Sequence, residues 1–433
     1  LTRPRKGALF AGRLGLLWWS TLVAAGCSQR LDVFSYHGFD EPDASSEPDA
    51  GRAGCDACRE GSLCSAGSCV PLSSIAFVST GTEHTCIVLG GVLSCWGSNS
   101  ASQLGVGDSS QHRVPTRVGN NDDWLDVAAG ARHTCGLRAP GALYCWGDNS
   151  QGQLGTGMAG TRPRSSPTRV GMIDDFTKVS CGGDSCCALR SGGSLYCWGA
   201  NTDGNAGINR SASGAVVAPT RVSPGSGFAS VSVGAAHSCV VRDDGALLCW
   251  GRNADGELGL GSARVAQRQP TRVGSANDWK SVSCGPHHTC GIRVGGALLC
   301  WGGNDFAQVG IGREGPDGVM LVIDEPVAVD SSGGWGNVAA GGFHTCGRKE
   351  RGSELLCWGR ANSGQLGIGA ASDVVESPTR VSTSATVRRF ALGMLHGCAF
   401  DAERQLYCWG DNAQGQLGLG DTLRREEPVL VAL

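Results

Sequence analysis

Between residues 73 and 433 apolar and polar positions alternate over stretches of four to six residues, and the stretches are parted by Gly, Asn, Asp and Pro. That period of two predicts strands, and segments this short cannot be helices of ordinary length. The unit is plainest between Trp124 and Val170. An apolar run Trp124-Leu125-Asp126-Val127-Ala128-Ala129 ends at Gly130, and His133-Thr134-Cys135-Gly136-Leu137-Arg138 follows. A turn at Ala139-Pro140-Gly141 leads into Ala142-Leu143-Tyr144-Cys145-Trp146-Gly147. A loop through Gly152-Gln153-Leu154-Gly155 then gives way to Pro167-Thr168-Arg169-Val170. Three strands and a Pro-led fourth are expected from each such unit.

The unit recurs. Cys-Trp-Gly stands at 95–97, 145–147, 197–199, 249–251, 300–302, 357–359 and 408–410, at intervals of 50 to 57 residues. Periods near 50 with four strands each are the signature of propeller blades. The fuller pattern is W-x-x-V-x-x-G-x-x-H-T/S-x-x-L…L-x-x-W-G-x-N-x-x-G-Q-L-G…P-T-x-V. It resembles the regulator-of-chromosome-condensation repeat, whose members form seven-bladed propellers. The resemblance covers about 73–433 and implies an all-β, seven-bladed β-propeller of four-stranded blades. Gln-Leu-Gly is kept at 103–105, 153–155, 365–367 and 416–418, while the third unit departs to Asn205-Ala206-Gly207.

Composition adds the address. The chain has 22 Cys among 433 residues, a density foreign to reducing compartments. Residues 1–27 carry Arg3, Arg5 and Lys6, an apolar run from Leu14 to Val23, and Ala24-Ala25-Gly26-Cys27, which reads as a bacterial export signal too short for a membrane span. Small residues before a Cys resemble a lipobox, which implies a lipid anchor on Cys27; ordinary secretion with cleavage near Ala25 is the alternative. Loss of Arg3, Arg5, Lys6 and Arg13 with the signal takes the net charge from −3 to −7. That is no footprint for nucleic acid. Residues 28–54 hold the acidic stretch Asp40-Glu41-Pro42-Asp43 and read as a disordered linker. Residues 55–72 contain Cys55, Cys58, Cys64 and Cys69, a small disulfide-rich segment with three possible connectivities. Zinc would use similar spacing, but export disfavours reduced thiols.

Every repeat carries two Cys: Cys86 and Cys95, Cys135 and Cys145, Cys187 and Cys197, Cys239 and Cys249, Cys290 and Cys300, Cys346 and Cys357, Cys398 and Cys408. A hairpin folded about Pro140 sets Leu137 opposite Leu143 and Cys135 opposite Cys145, so cross-strand disulfides are expected from these pairs, in at least five of the seven blades. Cys181, Cys186 and Cys284 are left over and find no partner by this rule; they read as buried thiols. The recurring His84, His133, His237, His288, His344 and His396, with Ser185 in the third unit, are spread round a ring. They read as structural hydrogen-bonding groups rather than as metal ligands. No metal or other cofactor is expected.

For function the sequence offers a class. A non-catalytic propeller on the cell envelope, binding a protein partner or surface polymer as a monomer, fits the address. Two alternatives stand beside it. One is a carbohydrate-active hydrolase or lyase using acids such as Asp123, Asp175 or Asp243. The other is a secreted enzyme inhibitor, because family members range from a nuclear guanine-nucleotide exchanger to an inhibitor of β-lactamase. Departures from the repeat are the places to look for recognition. These are the loop with Arg313, Glu314, Asp317 and Met320, and the wide turn with Arg348, Lys349 and Arg351.

Overall fold

The computed structural model describes residues 62–65, 68–71, 76–208, 214–222, 225–313, 322–369 and 372–433. The export signal with Cys27, the linker, Cys55, Cys58, Glu314, Asp317 and Met320 lie outside them. Strands Ser62–Ser65 and Ser68–Pro71 form a hairpin that sets Cys64 opposite Cys69. From Ala76 to Val431 the chain makes seven four-stranded antiparallel sheets, each from four strands consecutive in sequence. The protein is a seven-bladed β-propeller.

Blade 2 shows how the sequence builds a blade. Its inner strand Trp124–Ala129 pairs with the second strand His133–Arg138, which pairs with the third, Ala142–Asn149, and Gly160–Arg169 closes the outer edge. The turn at Pro140 sets Arg138 against Ala142, Leu137 against Leu143 and Cys135 against Cys145. Side chains alternate across these strands, so His133, Cys135 and Leu137 face one neighbouring blade while Thr134 and Trp146 face the other. Both faces are buried. The fourth strands are half-buried to exposed along their length, as befits an outer edge. Glycine is required where third strands end. Gly147 has φ of +98°, and a Cβ there would stand 2.6 Å from the Arg132 carbonyl oxygen.

The antiparallel order fixes two ends. Turns after first strands and loops after third strands share one end, here the loop end. Turns after second strands and connections from fourth strands to the next blade share the other, the hairpin end. Inner strands of consecutive blades pack side by side around the axis. Blade 7 meets blade 1 directly, with Ala76, Val78, Ile87 and Trp96 sharing a core with Phe400, Leu406 and Leu417.

Candidate binding surface

The recurring polar residues join blade to blade. In all seven blades the cysteine-flanked Trp donates its Nε1–H to a backbone carbonyl in the loop of the preceding blade. Trp146 reaches Gln103 at 2.9 Å, Trp198 reaches Gln153 at 2.9 Å, and Trp96 closes the ring on Gln416 at 2.9 Å. The hydroxyl one residue before the first Cys of the pair donates to the same oxygen: Thr134 to Gln103, Thr289 to Glu257 and Thr345 to Gln308, at 2.7–2.8 Å. The Gln-Leu-Gly loops are therefore acceptors for a buried Trp and Thr, not phosphate cradles.

The histidines point the other way round the ring. His84 Nε2 lies 3.0 Å from Thr134 Oγ1, His237 lies 2.8 Å from Thr289, His288 lies 2.8 Å from Thr345, and His396 lies 3.0 Å from Thr85. Each ring packs on a glycine three residues earlier. A Cβ at Gly130 would come within 2.2 Å of the His133 ring. All six rings are fully buried, and burial lowers their pKa to about 4 for His133 and about 3 for the other five. They are neutral, and five of the six hydrogen-bond to the next blade. Blade 7 lacks the hydroxyl, because Gly397 stands there with the Trp409 ring 2.7 Å from its absent Cβ. His344 Nε2 is consequently left without a hydrogen bond.

The seven cysteine pairs face each other across second and third strands with S–S distances of 2.02–2.12 Å. The reading of Cys181 and Cys186 as separate buried thiols needs correction: they stand opposite each other in the first hairpin of blade 3 and are joined. The turn Gly182-Gly183-Asp184-Ser185 folds them together by the geometry that pairs Cys135 with Cys145, so the sequence did hold the signal. Cys284 is a buried thiol opposite Thr289. Two clusters bring possible metal donors within 4.8 Å: His133, Cys135, Cys181 and Cys186, and His237, Cys239 and Cys284. Disulfide sulfurs are not thiolate donors. This leaves one imidazole in the first cluster and an imidazole with one thiol in the second, short of the four ligands of a structural zinc site.

The acids named as catalytic candidates are dispersed over three blades. Asp123 accepts two hydrogen bonds from Arg138, at 2.7 and 3.0 Å, and Asp175 accepts two from Arg190, at 2.6 and 3.0 Å. The Arg190 hydrogen bond holds the Asp175 carboxyl below the usual range. The Arg138 guanidinium lies over the Trp124 and Tyr144 rings. These pairs fasten the connection between blades to a hairpin. Asp243 is exposed, in a third blade.

The described residues of the two departures from the repeat lie at opposite ends of the ring. Arg313 follows a third strand, at the loop end, and pairs with Glu376 at 3.1 Å. Arg348 and Lys349 end a second strand and Arg351 follows it, at the hairpin end. Of these only Arg351 is exposed. Lys349 Nζ lies 3.8 Å over the Trp335 ring and donates to Asp330, Ser332 and the Gly333 carbonyl, a structural role. Arg348 is buried.

Residues 50–313 match the RCC1-like domain family, and 337–365, 353–400 and 405–433 match the regulator of chromosome condensation (RCC1) repeat. The ultraviolet-B receptor UVR8 of Arabidopsis thaliana is 29% identical over 370 residues, covering 83% of this chain and 82% of the receptor. The human E3 ubiquitin-protein ligase HERC2 is 31% identical over 79% of this chain, which spans 7% of the ligase. The structure of Prp20p from Saccharomyces cerevisiae, described with its binding to Gsp1p and histones, superimposes with a TM-score of 0.68. The identity is 21%, over 78% of this chain and 85% of Prp20p.

Proposed function

We propose, from the premise that the chain belongs to the RCC1 repeat family, that it is a non-catalytic binding or scaffold propeller displayed on the bacterial cell envelope. Prp20p is described with binding to Gsp1p and histones and in a complex with Kap60. The observation that carries the reading for this chain is the fate of its recurring polar groups. The Trp and Thr donors, the His rings and the Asp–Arg pairs are consumed in joining one blade to the next. What remains variable is the loops and turns at the two ends of a cross-linked frame, the arrangement in which binding residues are positioned by a rigid scaffold. Function is argued from these sites because a propeller alone does not specify one.

The export signal, the lipid on Cys27 and the acidic residues 28–54 complete the proposal: an anchor, a spacer and a displayed ring. Several acyl chains, at ~0.8 kcal/mol per buried methylene, give stable membrane attachment. Affinity capture from envelope extract with the full chain as bait tests the binding reading. A small set of envelope proteins enriched over an unrelated propeller is expected. Hydrolysis of envelope polysaccharide by the purified chain, abolished in D123N, would replace this reading with the enzymatic one.

A further inference from the structure

One register position breaks the repeat in a way the fold does not explain. The residue opposite the Leu of the third strand is Val88, Leu137, Leu189, Val241, Ile292 and Phe400 in six blades, all buried. In blade 6 it is Arg348, 8% exposed. A guanidinium cannot shed its proton, and a buried charge is costly unless paired. Its Nη1 donates to the Lys349 carbonyl at 3.3 Å, while Nε has no hydrogen-bond partner among the described residues. Burial first, then the like charge of Arg388, push the guanidinium below its usual range, with Glu350 acting against them. Glu350 itself takes Lys280 Nζ at 2.8 Å.

The surroundings tell where this cation looks. Each inner strand of blades 2 to 7 has a bulged residue near its start, at the hairpin end of the ring. In blades 5, 6 and 7 these residues are Lys280, Gly336 and Arg388. A Cβ on Gly336 would lie 3.5 Å from Arg348 Nη2. The space a blade 6 side chain would take is filled by Glu350, whose Cγ would lie 2.5 Å from that Cβ, with the Arg348 guanidinium beside it. Three consecutive blades set a cation at one level of the ring, facing Leu125, Thr177 and Ala229 in blades 2, 3 and 4, with Glu350 as the acid between them.

The chain shows what such an arginine edge binds. Arg138 and Arg190 each use Nε and Nη2 together to grip both oxygens of an Asp, the bidentate geometry that favours carboxylates. We propose that the hairpin end of the ring at blades 5 to 7 is a binding site for a carboxylate on an acidic peptide segment of a partner. Arg348 offers its Nη2 beside Gly336, and Lys280 and Arg388 flank it. This rests on the binding reading above and assigns it a place and a ligand chemistry. An arginine at an apolar register position is then a sacrifice of stability for recognition.

Calorimetric titration of the full chain with acetylated, amidated tetraglutamate at low salt tests the site. Tetraglutamate is expected to bind and tetraglutamine not to. Leu occupies the equivalent position in blades 2 and 3, so R348L is expected to keep or raise the Tm while weakening tetraglutamate by at least about tenfold. R380Q, which alters an exposed arginine paired with Glu354 on the outer strand of blade 6, should leave the affinity unchanged. If R348L fails to fold, K280Q and R388Q carry the same test, each expected to weaken binding by about threefold or more. Equal binding of both peptides, or undiminished affinity in R348L, or in K280Q and R388Q, refutes the site. A folded R348L with a lower Tm would make Arg348 structural and refute it as well. Inorganic phosphate that matched the peptide in competition would refute the peptide assignment. Envelope partners still captured by R348L would refute this site and leave the wider binding reading standing.

Discussion

Acidification should dismantle this ring from the inside. Six imidazoles are fully buried and neutral, with pKa lowered to about 4 for His133 and about 3 for His84, His237, His288, His344 and His396. In the unfolded chain each would titrate near ~6.5. Between these values the unfolded state holds more protons, so stability is fully present above the unfolded pKa and is lost as pH falls through ~6.5 toward the folded value. One ring with a folded pKa near 3 loses about 2 kcal/mol between pH 8 and pH 5 by this linkage. Six would come to ~12 kcal/mol, an upper limit comparable with the whole stability of an ordinary domain, ~5–15 kcal/mol. Glu83, Asp184 and Glu257, whose carboxyls burial raises, act in the opposite sense and remove part of it. The assay is equilibrium urea unfolding of the oxidised chain from pH 8 to pH 5, followed by tryptophan fluorescence. The midpoint should fall steadily below pH 7, and H288Q should reduce the slope by about 1.2 kcal/mol per pH unit between pH 5 and 6. A midpoint at pH 5 equal to or above that at pH 8 would refute the buried, neutral histidines.

Further predictions concern single contacts. Thr289→Val removes the bonds to His237 and to the Glu257 carbonyl and should cost about 1–3 kcal/mol in urea unfolding. His344 has neither ring nitrogen bonded, so His344→Leu should be at least about 1 kcal/mol less damaging than His288→Leu. Alkylation of the denatured, unreduced propeller should label Cys284 alone among residues 76–433, read by peptide mass spectrometry; reduction should lower the Tm, each hairpin staple contributing ~2–3 kcal/mol by chain entropy. Cys27→Ala should move the protein from the membrane to the soluble fraction in fractionated cells, and a wild-type chain already soluble would refute the anchor.

Much of the molecule was legible because its order is local. Strand alternation, the turn at Pro140 and the period of the Cys-Trp-Gly motif are relations within about fifteen residues or between copies of one unit. They give blade, register and repeat number without any knowledge of packing. Cys181 and Cys186 belong to the same class of local relation, but in the first hairpin of a blade, where no other blade carries a pair of Cys. Tertiary structure decided what lies one blade away. That Trp146 and Thr134 share the Gln103 carbonyl, and that His84 meets Thr134, are contacts across 31 to 50 residues whose partners the repeat presents in identical form in several blades. The pattern says that such groups exist, and only the direction of each face around the ring says which neighbour they meet. The same holds for Arg313 and Arg351, neighbours in the logic of insertions but at opposite ends of the ring because antiparallel strands alternate direction. It holds most for Arg348, an ordinary turn cation by sequence. Its burial follows from the blade behind it and from the glycine in front of it.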